Sequence, residues 1–241
     1  MSYLGTTKIG KMFLGSVEIA KAYLGTALVF QKGGNLPYTP VEYIETDGTA
    51  YIDTGIKGND PRSCELKYMP GSVGTSLQCI LGCETTSEDT NLYVLAYISS
   101  SSRIGFGHRY FYTDASLSIT AGVFFEARTK MKNSSQQISI KRDGDSNFTS
   151  LSKTQSSTLT TGANMFIFAG HNPSTDAAVH KCPSGSRLYY CKIYSDNSFT
   201  TLVFDGIPCY YNGEFGLWDR VSDSFKGNAN STGAFTGPSI S

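Results

Sequence analysis

Two carboxylates about 5 Å apart are what a retaining glycoside hydrolase needs, one as the acid and one as the nucleophile. The sequence offers few candidates for such a pair. The segment 124–129 carries a single carboxylate, Glu126. Glu42 and Glu45 lie three residues apart, so they would point to opposite faces of a strand. We therefore assign no catalytic residue, predict that the chain is not an enzyme, and expect Glu126 to be exposed or ion-paired.

Metal ligands are the second kind of chemistry to consider. Zinc accepts histidine, cysteine and carboxylate, and His171, Asp176, His180 and Cys182 fall in one window, but their spacing matches no standard zinc motif. Calcium prefers oxygen ligands, which two segments contain: Glu88, Asp89 and Asn91 in one, Asn172 and Asp176 in the other. We predict no cofactor and assign no metal ligand, with calcium in one of these segments as the alternative.

Aromatic rings next to hydrogen-bonding groups are the combination that recognises sugars. Two predicted loops, 108–114 and 170–176, have this composition. The candidate ligand-binding residues in them are Tyr110, Tyr112, His171, Asn172 and Asp176. The same mixture is also typical of ordinary solvated loops, which is the alternative interpretation.

Charge and hydropathy exclude some classes of partner. The chain has 20 Lys and Arg against 20 Asp and Glu and no basic run, so we predict no nucleic-acid partner. No segment approaches 18 apolar residues, and the N-terminus lacks the charged and apolar regions of a signal peptide. We expect a soluble chain made in a cytoplasm, without a membrane partner.

The six cysteines are sparse for a domain of this size. They form no paired Cys-x-x-Cys motif of a structural zinc site. In a reducing compartment such cysteines stay thiols, and unpaired cysteine is among the most buried residue types. We predict free, mostly buried thiols.

Four residues recur every ten positions at the N-terminus, as Tyr3-Leu4-Gly5-Thr6, Phe13-Leu14-Gly15-Ser16 and Tyr23-Leu24-Gly25-Thr26. Gly-Thr and Gly-Ser are typical of two-residue type II′ hairpin loops, whose first position needs a positive φ. The repeat predicts a β-meander with strands near 7–14, 17–24 and 27–32. A segment of about 33 residues is too small to bury a core of its own, so it must pack on a partner.

We interpret residues 1–33 as a stem for attachment or oligomerisation, with an extra hairpin of the main domain as the alternative. Both faces of its predicted strands are largely apolar, which favours a second partner such as a neighbouring copy of the chain. The predicted anchor residues are Leu4, Phe13, Leu14, Tyr23 and Leu24.

Gly33, Gly34 and Pro37 predict a linker over 34–40, followed by one domain over 41–241. The predicted strands of this domain are 41–45, 50–56, 63–69, 77–83, 92–98, 103–112, 122–130, 136–142, 164–169, 186–194, 201–204 and 214–218. Ile138 and Ile140 alternate with polar neighbours, whereas 165–169 is apolar on both faces and predicts a central strand. The segment 146–162 is either a loop or a weak edge strand. So many short strands predict an all-β, two-sheet sandwich.

Four blocks of this domain carry a resemblance: 41–56 (VEYIETDGTAYIDTGI), 188–194 (LYYCKIY), 205–209 (DGIPC) and 216–219 (GLWD). They resemble the concanavalin A-like, laminin-G-type jelly-roll domains of tailed-phage and prophage structural proteins of gut bacteria. The resemblance spans about residues 36–237, and the N-terminal repeat resembles the stems that precede such domains. We interpret Gly216 and Gly227 as positions where the chain makes tight returns, and Trp218 as an aromatic side chain that packs in the core.

The resemblance implies a phage virion structural protein, located in the virion and made without a signal peptide. Its stem would join other virion proteins, and its jelly roll would be displayed outward to hold host-surface or mucin glycans. Fibre proteins of this kind are commonly trimers, so we expect a homotrimer, with a capsid or tail socket as the alternative partner. The rival functions are a bacterial or prophage-encoded carbohydrate-binding adhesin and a glycoside hydrolase. Hydrolases on this fold carry a Glu-x-Asp-x-x-Glu run, which the sequence lacks.

Overall fold

The structure is a computed structural model that describes residues 2–4, 7–9, 13–14, 17–18, 21–24, 27–31, 36–59, 62–73, 77–83, 92–98, 102–108, 112–132, 135–154 and 162–239. For the described residues within 2–31, for 92–98 and for residue 108, it describes the backbone only. The chain divides into two compact units, Met1–Tyr38 and Thr39–Ser241. In the part of the chain that is described, no helix is long and apolar enough to span a membrane.

Three short β-hairpins make up the N-terminal unit. Their strands are β1 (Ser2–Leu4), β2 (Thr7–Ile9), β3 (Phe13–Leu14), β4 (Val17–Glu18), β5 (Lys21–Leu24) and β6 (Ala27–Gln31). Leu4 pairs with Thr7, Leu14 with Val17, and Leu24 with Ala27. Each pairing leaves two residues for the loop, and these are the Gly-Thr and Gly-Ser pairs of the repeat. The anchoring role of the stem side chains stays a prediction.

The second unit contains the other strands, in chain order β7 (Thr39–Pro40), β8 (Ile44–Thr46), β9 (Ile52–Lys57), β10 (Arg62–Met69), β11 (Leu77–Cys83), β12 (Leu92–Ile98), β13 (Arg103–His108), β14 (Tyr112–Ser118), β15 (Phe125–Lys132), β16 (Ser135–Arg142), β17 (Thr149–Lys153), β18 (Asn164–Ile167), β19 (Gly170–Asn172), β20 (Ala177–Val179), β21 (Ser186–Tyr194), β22 (Leu202–Tyr211), β23 (Glu214–Asp219), β24 (Ser224–Lys226) and β25 (Phe235–Thr236).

These strands form two sheets. Sheet I has eleven strands, with the order β17-β16-β15-β10-β21-β22-β23-β24 and with β7, β8 and β25 paired beside it. Sheet II has eight, with the order β14-β13-β12-β11-β18-β9 and with β19 and β20 joined at β11. One buried cluster takes side chains from both sheets, including Leu66 and Ile140 from sheet I and Ile52 and Ile167 from sheet II. The prediction of an all-β, two-sheet jelly-roll sandwich is confirmed.

Period-two alternation decides which side chains reach this core. Ile138 and Ile140 are fully buried, whereas Ser139 and Lys141 lie on the outer face of β16. The apolar segment 165–169 contains β18, which pairs with β11 on one side and β9 on the other, as expected of a central strand.

Some strand boundaries differ from the prediction. The predicted run 103–112 contains β13 and only the first residue of β14, which continues to Ser118 beyond the prediction. The short run at 201–204 belongs to β22, which continues to Tyr211. The ambiguous segment 146–162 contains β17, at the edge of sheet I, in agreement with the edge-strand interpretation. Strands of two or three residues, such as β19 and β20, are too short to show a period and were missed.

Gly216 and Gly227 do not form tight returns, because neither has a positive φ. Gly216 lies inside β23, and both glycines leave room for the ring of Phe225. The tight return is made by Asn212 and Gly213, which both have positive φ and form a two-residue loop between β22 and β23. Trp218 is buried, as predicted, but it packs edge-on against Tyr211 and donates its N–H to Asp223.

The space at Gly216 generates the first prediction. A Cβ there would lie 2.5 Å from the carbonyl oxygen of Lys226 and 2.7 Å from the ring of Phe225, so the backbone must shift. We expect Gly216→Ala to lower the free energy of unfolding by about 1–3 kcal/mol, as overpacking does. Gly162→Ala is the control, since no atom of the described residues lies within 4 Å of its added Cβ. Urea unfolding of both variants measures the difference, and equal stability would contradict the packing described here.

Candidate functional site

Three rings stack beside β18 and β9 of sheet II, and one of them, Tyr51, also packs against the buried core cluster. Phe166 of β18 stacks on His171 of β19, with ring centroids 4.1 Å apart and planes 8° apart. Tyr51, which precedes β9, stacks on Phe166, with a centroid distance of 4.8 Å. Phe166 and His171 are buried, whereas Tyr51 is half-buried. Tyr51 is therefore the most exposed of the three stacked rings.

A reversal of the chain produces this stack. β18 runs antiparallel to β11 and β19 runs parallel to it, so the chain turns back between them. Phe168 lies in the turn with a φ of 68°, a left-handed conformation that costs a residue with a Cβ about 1–2 kcal/mol. Its backbone N–H donates to Ile80, and its carbonyl accepts from Cys182. Together with the burial of the Phe168 ring, these bonds hold the reversal that places His171 on Phe166.

The backbone of Tyr51 is held by the C-terminal loop. Its N–H donates to the side-chain oxygen of Asn228 at 3.2 Å, and its carbonyl accepts from the N–H of Ala229 at 2.9 Å. Asp47 fixes the other end of that loop by accepting from Ala234. Burial raises the pKa of Asp47, but backbone hydrogen bonds from Ala50 and its other donors outweigh burial and lower the pKa to about 2. Hydrogen bonds to the C-terminal loop therefore hold the backbone at Tyr51 in place.

Polar groups surround the exposed part of the Tyr51 ring. Asn164 donates its side-chain amide to Asp53 at 3.2 Å, and the ammonium of Lys181 lies 5.7 Å from the Tyr51 centroid. The pKa of Tyr51 is raised by burial and then by the negative charges of Asp176 and Asp53. This surface, defined by Tyr51, Asp53, Asn164, Asp176 and Lys181, is called the Tyr51 platform below.

His171 connects the platform to sheet II. Its Nδ1 lies 3.0 Å from the carbonyl oxygen of Asn164, and its Nε2 lies 3.1 Å from Oδ1 of Asp176. The Asp176 side chain is 92% exposed, so its second oxygen faces water. The arrangement offers an aromatic ring, carboxylate acceptors, an amide and an ammonium within one small surface.

The predicted ligand residues are only partly brought together. His171 and Asp176 are in contact, and Asn172 lies beside them with its side-chain oxygen accepting from the N–H of Ser174. Tyr112 lies on β14, which is four strand positions from β18 in sheet II. At the usual strand spacing this is about 19 Å from the strand that carries Phe166 and Asn164. Its ring packs against the core and Phe106, because this edge strand covers that end of the core. Tyr112 therefore does not join the platform, and Tyr110 lies outside the described residues.

Several platform residues were missed from the sequence, namely Tyr51, Asp53, Asn164 and Lys181, together with the supporting ring of Phe166. The alternation in Tyr51-Ile52-Asp53 does indicate that the tyrosine and the aspartate share a face. The apolar run 165–169 hid the fact that Phe166 points away from the core. Lys181 follows a strand too short to recognise.

The described residues contain no group of three or more His, Cys, Asp and Glu side chains placed to hold a metal. Cys182, which the zinc alternative needs, is a buried thiol 3.2 Å from the carbonyl oxygen of Cys79. Glu88, Asp89 and Asn91 lie outside the described residues. The prediction of free, buried thiols is confirmed for all six cysteines. Burial raises the pKa of Cys64, Cys83, Cys182 and Cys209 to about 12, so these thiols stay protonated near neutral pH.

A pair of carboxylates occurs on the outer face of sheet I. Glu65 pairs in register with Arg128, and Glu126 pairs with Lys67, so the two glutamates are diagonal neighbours on adjacent strands. The pKa of Tyr190 is raised to about 12, first by burial and then by the charges of Glu126 and Glu65. The sequence did not reveal this neighbour of Glu126, because the two residues are far apart along the chain.

The two glutamates have different surroundings. Glu65 accepts from Arg128 at 3.0 Å and from the hydroxyl of Tyr194 at 2.9 Å, so each of its oxygens has a partner. Glu126 is half-buried and has no ion pair within the described residues, contrary to the expectation that it is exposed or ion-paired. The reason is that Lys67, opposite Glu126, places its ammonium 3.8 Å over the ring of Phe124 instead.

Comparisons with solved structures give matches at low identity. A native heptameric SAP-like pentraxin from Limulus polyphemus is 10% identical over 68% of this chain and 74% of its own, with a TM-score of 0.40. Domains LG4-5 of the mouse laminin alpha1 chain are 10% identical over 68% of this chain and 44% of their own, with a TM-score of 0.46. The CBM40 of the Ruminococcus gnavus IT-sialidase is 17% identical over 65% of this chain and 91% of its own, with a TM-score of 0.45.

No family model matches the chain, and no curated protein matches it. The identities and scores of the structural matches are too low to transfer a function from any of them.

The carboxylate pair generates the second prediction. Because Glu65 is committed to Arg128 and Tyr194, we expect no acid and nucleophile pair here, and Glu126→Gln should change no saccharide cleavage. The measurement is reducing-sugar release from a panel of polysaccharides, with Glu214→Gln, an exposed glutamate at the start of β23, as the control. Cleavage by the unmodified chain that Glu126→Gln alone abolishes would contradict this expectation.

Proposed function

We propose that the sandwich binds carbohydrate through the Tyr51 platform and does not cleave it. The observation that carries the proposal is the half-buried Tyr51 ring, which stacks on Phe166, which in turn stacks on His171. Asp53 shares a strand face with Tyr51, and Asp176 lies 3.1 Å from His171. An isolated surface tyrosine would be free to rotate. The ring of Tyr51 is restrained by its stacking on Phe166, and its backbone is bonded to Asn228 and Ala229.

The chemistry of the platform suits a sugar. A pyranose has an apolar C–H face that packs on an aromatic ring, and hydroxyls around its edge that both donate and accept. Carboxylates such as Asp176 accept from hydroxyl groups, and Lys181 donates to them. Because the rings and the backbone are already in place, a sugar binding here would order few protein groups, which favours binding.

We also propose that the protein is a phage structural protein located in the virion. Its support is the resemblance of the sandwich blocks and of the repeat, together with the hairpin loops that the described stem strands leave at Gly-Thr and Gly-Ser. In this proposal the stem joins other virion proteins and copies of itself, and the sandwich is displayed. A bacterial or prophage-encoded adhesin is the alternative, and an antibody against residues 36–241 on purified virions distinguishes them by electron microscopy.

The third prediction tests the platform. Tyr51→Ala should weaken binding to immobilised mucin or to the oligosaccharides of a glycan array about tenfold, the loss expected for one aromatic contact. Tyr43→Ala is the matched control. Tyr43 is also half-buried, packs against another ring, and has the guanidinium of Arg187 4.3 Å from its centroid, but it lies beside sheet I. Equal binding by both variants, or loss in both, would contradict a site at Tyr51.

The fourth prediction tests the stem. Full-length protein should scatter light as a trimer, whereas residues 34–241 should be a folded monomer, because the second unit contains both sheets and the core. Leu14→Asp with Leu24→Asp should also give monomers, since a charge buried in a seam between chains is costly. A full-length chain that remains monomeric at high concentration contradicts self-assembly. A truncated chain that aggregates contradicts the two-part organisation.

A further inference from the structure

The free edge of sheet II is bonded by side chains of the same chain. Among the described strands, β14 ends the sheet and pairs with β13 alone. The other side of such an edge strand presents backbone N–H and C=O groups that a strand of another chain can bind. Backbone groups of alternate residues point to the same edge, so Ser116 and Ser118 share one. Their bonds go to side chains outside β13.

Arg142 covers the two carbonyls. It is the last residue of β16, in sheet I, so its guanidinium crosses from one sheet to the other. Nε donates to the carbonyl oxygen of Ser118 at 2.6 Å, and Nη2 donates to that of Ser116. Nη1 donates to Oδ2 of Asp145 at 3.2 Å, and the backbone N–H of Arg142 donates to the same oxygen. The side chain of Arg142 is only 24% exposed, so this fork is held in place.

Asp114 covers the N–H of Ser116. Its Oδ1 accepts from that N–H at 2.9 Å. The N–H of Ser116 and the carbonyls of Ser116 and Ser118 therefore have partners before any other chain approaches. Each of these bonds includes a charged side chain, which makes it stronger than a bond between neutral groups. An incoming strand would have to break three such bonds to pair with β14.

We propose that Arg142 and Asp114 form an edge strap, which closes β14 to pairing with a second copy of the chain. The excluded partner is a second copy because an open edge can pair with the same edge of an identical chain about a two-fold axis. The inference goes beyond the proposed function, and it does not depend on the sugar site.

The proposed assembly makes such a strap useful. In it the stem gathers copies of the chain, and the linker over 34–40 tethers their sandwiches to one another. A short flexible tether gives effective concentrations of about the millimolar range. Even weak pairing between edges is populated at such concentrations, although it is negligible for a dilute chain. The strap lets the stem assemble copies while the sandwiches stay separate.

The edge of sheet I is protected in a different way. β17 has five residues, its side chains are mostly exposed and polar, and it ends in Lys153. Short edge strands and lysine both discourage pairing. β14 has seven residues and buries Leu117 in the core, so core packing holds it in an extended form that a partner strand could match. β14 is therefore the edge that needs a strap.

Light scattering of the full-length chain over a range of concentrations tests the strap. Arg142→Met with Asp114→Ala removes all three bonds. At high concentration the mass of this double variant should rise to about twice that of the unmodified chain or more, because each open edge can hold one further copy. Arg187→Met is the matched control, since it removes a guanidinium bonded to Glu45 and leaves β14 covered. A folded double variant with the mass of the unmodified chain overturns the proposal.

A third substitution decides whether β14 is the edge that pairs. Ser116→Pro, added to the double variant, removes the N–H that an incoming strand would bind. Proline is tolerated on an edge strand where the N–H faces away from the sheet, as that of Ser116 does. The mass should return to that of the unmodified chain. A mass that stays raised shows that the copies associate elsewhere and overturns the proposal, as does an equal rise in Arg187→Met.

A milder pair of substitutions decides the question where the double variant does not fold. Arg142→Lys with Asp114→Ala keeps the positive charge and the apolar stem of residue 142, but an ammonium cannot bind two carbonyls as a fork. The rise in mass should be smaller than in the double variant, and Ser116→Pro should again remove it. No rise overturns the proposal. Because every variant is compared with the unmodified chain at the same concentration, a monomeric unmodified chain contradicts the stem and leaves this test intact.

Discussion

The packing of Met165 and Ile167 into the core between the two sheets determines where the candidate site lies. Both side chains are almost fully buried, so the alternation of a strand forces Phe166, between them, to the opposite face. Ile52 does the same on β9, where its burial puts Asp53 opposite Phe166 in register. The outward positions of β18 and β9 are therefore a consequence of core packing. A one-residue slip of β18 would move Phe166 to the core face of the sheet and remove the support of Tyr51.

The sequence predicted the parts of the structure that repeat along the chain. Alternation located β16 and the long strand β21, and the Gly-Thr and Gly-Ser pairs located the loops of the stem hairpins, because both signals are local. It also indicated His171 and Asp176 as neighbours, since they lie five residues apart in one loop region. The platform itself joins residues more than a hundred positions apart, such as Asp53 and Asn164. Such contacts depend on which strands are adjacent, and one sequence contains no local signal for that order.

The two outer faces of the sandwich differ in how far their polar groups satisfy one another. On sheet I, Glu65 bonds both Arg128 and Tyr194, Glu45 bonds Arg187, and Lys67 rests on the ring of Phe124. Cross-strand pairs of this kind stabilise the register of the sheet. A ligand binding there would have to break them. At the Tyr51 platform Asp53 is likewise bonded, to Gly55 and Asn164, but the second oxygen of Asp176 faces water and the ammonium of Lys181 is 5.7 Å from the Tyr51 centroid. The exposed oxygen of Asp176 can accept from a ligand without breaking an existing bond, which is the physical reason to prefer the platform over sheet I.

The left-handed conformation of Phe168 connects stability with the candidate site. A phenylalanine with positive φ is unfavourable by about 1–2 kcal/mol, and its fully buried ring and two backbone hydrogen bonds offset that cost. The same turn reverses the chain and returns His171 to the ring of Phe166. Asp176 and His180, further along this hairpin, also have positive φ. Strain of this kind persists only where surrounding contacts hold it. At the inner end these contacts are core packing. At the outer end they are the pairing of β19 with β20 and the polar contact of 3.1 Å between Nε2 of His171 and Oδ1 of Asp176, so the two ends of the hairpin are held by different kinds of interaction.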